Sequence, residues 1–149
     1  MQAIPRWKKS LLALKKLHPN VCNVFIGYDE PLAHLIYAGS DFLLMPSRVE
    51  PCGLNQLYAL RYGTVPIVRS TGGLKDTVID FGDEGGYGIR FNNATVKDMC
   101  EALSRAIVLY NDTKHLQLIR KRMMELDFSW NKSAAAYIAL YESLKLTSI

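Results

Sequence analysis

The chain has 149 residues, 49% of them hydrophobic and 21% charged. That is ordinary globular composition, and it excludes a disordered tail or a collagen-like repeat. A net charge of +4 permits an anionic partner without naming one.

A domain of this size buries about 68–70% of its unfolded surface, enough for a sizeable core. No apolar run approaches the roughly 18 residues of a membrane span, so no membrane partner is expected. The opening MQAIPRWKKSLLALKKLHP has neither a long apolar stretch nor a small-residue cleavage site, so it does not read as a secretory signal. Cys22, Cys52 and Cys100 are far apart, with no CxxC pair and no metal-ligand spacing. A reduced, cytoplasmic location without a metal is the expectation. Lys8, Lys9, Lys15 and Lys16 surround Leu11, Leu12 and Leu14 at helical spacing, which is the solvated face of an amphipathic helix. Basic and aromatic residues do not interleave as single-stranded nucleic acid requires, so no nucleic-acid partner is expected.

In chain order, residues 6–17 read as a helix stopped by Pro19-Asn20. Residues 21–26 read as a short buried strand ending at Gly27. Residues 30–38 form a helix stopped by Gly39. Residues 42–45 are a continuous apolar strand of the kind found in parallel sheets covered on both faces. Residues 55–62 are a helix closed by Gly63, and 65–68 are the next buried strand. A short helix is expected within 71–78, a flexible loop over 81–88 (FGDEGGYG), and a last strand over 88–91. Helices follow at 96–111, 113–126 and 130–145. Strand–helix alternation predicts an α/β fold: a parallel, Rossmann-like sheet of about four strands with flanking helices. The chain reads as a single domain over 1–149, with the last helix at its end.

In such sheets ligands bind at the carboxyl ends of the strands. Three loops therefore share one rim, beginning at Gly27, Pro46 and Arg69. In the second, Glu50 precedes a Pro51-Cys52-Gly53 turn that opens a helix. The N–H groups of Gly53, Leu54 and Asn55 would face outward there, and a helix N-terminus attracts phosphate. Glu50 either accepts hydrogen bonds from sugar hydroxyls or caps the helix. Thr71-Gly72-Gly73-Leu74 is a second glycine-rich turn into a helix, a pattern that by itself often marks only a tight turn. Tyr28 either stacks on a base or packs as a partly buried aromatic. Cys52 has no histidine beside it in sequence, which argues against a cysteine nucleophile. His34 reads as a surface or capping residue, His18 and His115 as surface residues, and Asp76 as a helix cap.

PSRVEPCGLNQLYALRYGTVPIVRSTGGLKDTV, residues 46–78, resembles the donor-site signature of bacterial glycogen synthases and plant starch synthases. GYDEPLAHLIYAGSDFLLMPS before it and DFSWNKSAAAYIALYESL near the end are similar to the same family. The likeness runs from about Asn20 to Leu144. It implies the C-terminal, donor-binding part of a retaining glycosyltransferase with two Rossmann-like domains, the GT-B architecture. Such an enzyme moves glucose from ADP-glucose to the non-reducing end of an α-1,4-glucan and needs no metal or other cofactor. Carried over by residue, Glu50 is the glutamate at the transferred glucose. Cys52, Gly53 and Leu54 form the turn against sugar and diphosphate, and Asn55 continues it. Tyr28 is the tyrosine on the adenine. Tyr58 stands where the wider superfamily often holds a second glutamate. Thr71, Gly72 and Gly73 line the glucose pocket.

The resemblance also implies parts that this sequence does not show. The family's acceptor-binding domain and an Arg/Lys pair that clamps the diphosphate have no counterpart motif upstream of Tyr28. The isolated chain is therefore expected to be inactive, and the missing N-terminal half is one expected partner. The alternative is a non-catalytic module that binds nucleotide or glucan, or serves interaction, derived from such an enzyme. A dehydrogenase-type nucleotide domain fails on motif, because no G-x-G-x-x-G follows any strand. Trp130, Ala134, Tyr137, Ile138, Tyr141 and Leu144 form an apolar stripe on the last helix. That stripe and an open sheet edge predict a homo-oligomer.

Overall fold

A computed structural model describes residues 5–146. The chain divides between Ala33 and His34 into two units.

The first unit holds α1 (Arg6–Leu17) and the start of α2 (Glu30–Gly39), which runs on into the second. No residue of α1 is buried, and Trp7, Leu14 and Leu17 stand exposed. Residues 21–26 do not form a strand: Val21 lies in a turn whose N–H bonds the His18 carbonyl, which corrects the expectation of a strand there. Their side chains alternate exposed and half-buried, with Val21 and Phe25 exposed. An apolar run becomes a buried parallel strand only when a neighbour takes up its backbone groups. This segment makes no ladder.

The second unit is the α/β body. Its sheet has three parallel strands in the order β1 (Phe42–Met45), β2 (Val65–Arg69) and β3 (Ile89–Phe91). Leu44 opposes Ile67, and Ile67 opposes Ile89. The connections carry α3 (Asn55–Tyr62) and α4 (Gly72–Thr77). After β3 come α5 (Val96–Asn111), α6 (Thr113–Met124) and α7 (Trp130–Leu146).

β2 is central, and its alternation fills two cores. Val65 and Ile67 join Ile89, Phe91, Leu60 and the buried faces of α5 and α6. Val68 turns the other way, onto Met45, Leu74 and Val78. A proline inside a central strand removes a ladder donor, yet Pro66 is tolerated for a visible reason. The Val65 N–H bonds Asp41 on the β1 side, and the Ser70 N–H bonds Phe91 on the β3 side. Alternation points Pro66 toward β3, whose pairing begins only at Ile67.

Residues 81–88, expected to be flexible, are tied down instead. The Asp80 carboxylate takes the N–H of Gly82 at 3.0 Å, the N–H of Arg90 at 2.7 Å and the Arg105 guanidinium. Phe81 packs under that guanidinium at 4.7 Å. The Phe81 N–H bonds the Gly88 carbonyl at 2.7 Å, and Arg122 donates to Gly86 at 2.9 Å. No glycine-rich composition reveals such long-range partners.

Every described side chain of α7 from Trp130 to Leu144 is exposed, including Tyr137, Ile138, Leu140 and Tyr141. No described helix is long and apolar enough to cross a membrane. The three cysteines are unpaired.

Candidate nucleotide-sugar site

The strands' carboxyl ends present two loops of the second unit to one another: residues 46–54 after β1 and 70–71 after β2. They meet backbone on backbone. The Gly73 N–H lies 3.2 Å from the carbonyls of both Glu50 and Pro51. A Cβ on Gly72, whose φ is +43°, would fall 1.9 Å from the Glu50 carbonyl oxygen. One on Gly73 would fall 1.8 Å from that of Cys52. These glycines are thus required by close approach of the two loops, a firmer reason than a tight turn.

Two side chains complete the contact. Arg69, at the end of β2, donates Nε to the Ser47 carbonyl at 2.7 Å and Nη2 to the Arg48 carbonyl. Gln56, fully buried on α3, directs Nε2 to the carbonyls of Cys52 at 3.1 Å and Gly53 at 2.9 Å. The same nitrogen lies 3.1 Å from Thr77 Oγ1 on α4. Ser47, Arg48, Glu50, Pro51, Cys52 and Gly53 therefore all spend their carbonyls inward. The N–H groups of Arg48, Val49, Cys52, Gly53 and Leu54 have no acceptor among the described residues. Gly53 turns the chain with φ +72°, and α3 then begins at Asn55, its cap position Leu54 offering no side-chain cap. The loop carries a row of free donors running into a helix N-terminus, an arrangement that favours an anion.

Glu50 is half-buried beside this row and accepts a hydrogen bond from the Ser47 hydroxyl at 3.3 Å. It does not cap α3, so of its two sequence readings the capping one falls. Cys52 and Asn55 are exposed at the turn, as is Leu54. Thr71 precedes α4 without capping it, and Asp76 is exposed rather than a cap.

Tyr58 stands one turn into α3, where its ring meets His34 at 5.2 Å and Tyr37 at 6.0 Å. His34, expected to be a surface or capping residue, is half-buried. It pairs through Nδ1 with the Tyr62 hydroxyl at 3.0 Å. Burial, together with Tyr58 nearby, holds the Tyr37 hydroxyl above its ordinary pKa. Tyr58 is thus part of an aromatic cluster between α2 and α3.

Tyr28 belongs to the first unit. It is 89% exposed, not the partly buried aromatic of one sequence reading, and its hydroxyl donates to Glu30 at 3.3 Å. A cleft of about 190 Å³ opens beside the rim between Pro46, Arg48, Phe91 and the start of α5. Another, of about 430 Å³ between α3 and the end of α6, contains none of the expected site residues. Among the described residues no cluster of three His, Cys, Asp or Glu side chains could hold a metal.

Sequence reading missed Gln56 and the anchoring role of Arg69. Both had a signal. Gln56 occupies a core position of α3 with Ala59 and Leu60, where a polar residue needs a reason. Arg69 ends an otherwise apolar strand.

Residues 6–120 match the model of the family described as glycosyl transferases group 1. A glycogen synthase of Flavobacterium johnsoniae is 55% identical over 134 residues, 90% of this chain and 28% of that protein. Glycogen synthase 2 of Agrobacterium fabrum is 54% identical over 140 residues, 91% and 28% of the two chains. The chain thus spans little more than a quarter of the curated relatives it matches. The catalytic domain of starch synthase IV from Arabidopsis thaliana, bound to ADP and acarbose, superposes with a TM-score of 0.82 at 36% identity. That match covers 94% of this chain and 30% of the other. A sucrose-phosphate synthase of Thermosynechococcus elongatus shares the fold at 23% identity, TM-score 0.64, covering 99% and 36%. With three quarters of its length inside the family model and its three-stranded parallel body matched in a starch synthase, the chain belongs to the group 1 glycosyl transferases.

Proposed function

We propose that the chain supplies the donor-binding part of a retaining α-glucan synthase that uses ADP-glucose and extends the non-reducing end of an α-1,4-glucan. The observation that carries this reading is the inward-carbonyl, outward-N–H loop at the sheet's carboxyl edge, with Glu50 beside it. The relatives' names supply the sugar chemistry, and the ADP-bound starch synthase supports adenine as the base.

In this reading the donor N–H groups at 52–54 and the start of α3 receive the diphosphate. Charge builds on the diphosphate as it leaves the anomeric carbon, and fixed dipoles already aimed at it lower that barrier. The acceptor 4-hydroxyl attacks from the face the diphosphate leaves and gives its proton to the departing phosphate oxygen, so the new glycosidic bond forms as the bond to diphosphate breaks. Glu50 holds glucose hydroxyls so that the anomeric carbon keeps its leaving face open to that attack. Tyr28 offers an exposed ring to the base, and Thr71, Gly72 and Gly73 border the sugar. The glucan acceptor is assigned to other parts of the whole enzyme, so glucosyl transfer is not expected from these 149 residues alone.

Titration of ADP into the chain, followed through backbone amide resonances, tests the reading. The expected result is a saturable shift at 52–55 with affinity no tighter than about millimolar, some −4 kcal/mol. Tyr28→Ala should weaken it more than Cys52→Ser, because stacking area is lost rather than a thiol. Absence of any shift at 52–55 would overturn the proposal.

A further inference from the structure

We infer that Arg69 and Gln56 are positioning residues that set the polarity of the loop over 47–54, and through it the affinity of the anion site. The inference rests on the nucleotide-sugar reading above and adds to it the two side chains that build the site.

The argument begins with the peptide bond. In a trans peptide the carbonyl of one residue and the N–H of the next point in opposite directions, and every described peptide here is trans. Fixing the Ser47 and Arg48 carbonyls inward on Arg69 therefore turns the N–H groups of Arg48 and Val49 outward. Fixing the Cys52 and Gly53 carbonyls on Gln56 does the same for Gly53 and Leu54. The Gly73 N–H holds the middle of the loop, at Glu50 and Pro51. Arg69 suits its end because one planar guanidinium spans two successive carbonyls, which a lysine ammonium cannot match in geometry. Gln56 suits the other end because three acceptors surround its nitrogen. A flipped amide would set its oxygen against two carbonyls, so the neighbourhood fixes the orientation.

Gln56 also carries a cost that stability alone does not explain. Its Oε1 is buried with no hydrogen-bond partner, and an orphaned acceptor of that kind is unfavourable. A methionine would fill the same space without it. The glutamine is accounted for by what its nitrogen does to the loop. Neither residue needs to touch a ligand; each acts through the backbone that does.

The test uses the whole chain as wild type, Gln56→Met and Arg69→Lys, with two separate readouts. The first is ligand-free: amide shifts and hydrogen exchange over 48–54 and at Gly73. Both variants should move these resonances and speed exchange at Gly73. The second is the ADP titration, in which each variant should bind roughly fivefold more weakly, the effect of about one hydrogen bond. Melting temperature serves as the control, and Gln56→Met should leave it nearly unchanged.

Loop resonances that stay in place in both variants would overturn the inference. So would a loop that moves while ADP affinity does not, since the two side chains would then be structural only. Arg69→Lys binding like wild type would reduce Arg69 to a positive charge and overturn its half. A wild-type chain that ignores ADP while its loop responds as expected would refute the nucleotide reading and leave the loop-setting role standing.

Discussion

Residue by residue, the site is built from backbone more than from side chains, and Gly73 is where this matters most. Its N–H binds two carbonyls, and its missing Cβ lets the Cys52 carbonyl approach. Gly73→Ala must push the two loops apart, at a cost of about 3 kcal/mol or more from overpacking against rigid backbone. Urea unfolding should record that loss, and the ADP-dependent shifts at 52–55 should vanish with it. An alanine variant of wild-type stability would mean the loops are not in contact. Asp80 poses a different question. Burial pushes its carboxyl pKa up, but hydrogen bonds from Arg105 and from the Arg90 and Gly82 N–H groups outweigh that and hold it below the ordinary value. A pKa lower in the folded than in the unfolded chain stabilises the fold above the unfolded value, and that stability is lost as pH falls through the folded one. Asp80→Asn should therefore lower stability at neutral pH and flatten the acid limb of the stability curve between those two values. A variant with an unchanged acid limb would remove Asp80 from the account.

Among the elements, legibility followed from where the determining partner lies. α1, α3 and α5 are readable to the residue because their stop signals and apolar spacing are local. β1 is readable from its four apolar residues, FLLM. The segment over 21–26 is apolar except at Asn23 and does not become a strand, since pairing depends on a neighbour that local sequence does not specify. The loop over 81–88 failed for the same reason: Arg105 and Arg122 anchor it from afar. At the site, sequence placed Glu50 through Asn55 and the Thr71–Gly73 turn together on one rim. What it did not reveal was that the glycines serve contact between loops. α7 is readable as a helix, and the structure leaves its apolar residues in water. We expect the chain to associate through it at micromolar concentration, because an exposed surface of that kind is unfavourable for a monomer. Sedimentation should show a dimer or larger species, reverting to monomer when the chain ends at Asp127. A whole chain that remains monomeric at high concentration would end that idea.

Taken whole, the molecule concentrates its stability in one part. Among the described residues every buried hydrophobic one lies in the second unit, from Tyr37 to Met123. The first unit buries none of its own described residues, and its apolar side chains at Trp7, Leu14, Leu17, Val21 and Phe25 are exposed. Local opening is easiest where few apolar groups are buried and backbone bonds meet solvent. Limited proteolysis should therefore cut first between Leu17 and Tyr28, where the chain is outside any helix or strand, and leave a resistant product beginning near α2. Hydrogen exchange should agree, with little protection in α1 and strong protection at Ile67, Val68 and Ile89. The order matters for the function proposed, because Tyr28 sits in the easily opened part and the proposed anion-binding loop in the stable one. ADP present during digestion should slow cleavage just before Tyr28 if the base engages that ring. Equal cleavage rates with and without saturating ADP, in a chain whose 52–55 resonances still shift, would detach Tyr28 from the nucleotide and leave the phosphate-binding loop as the whole of the site.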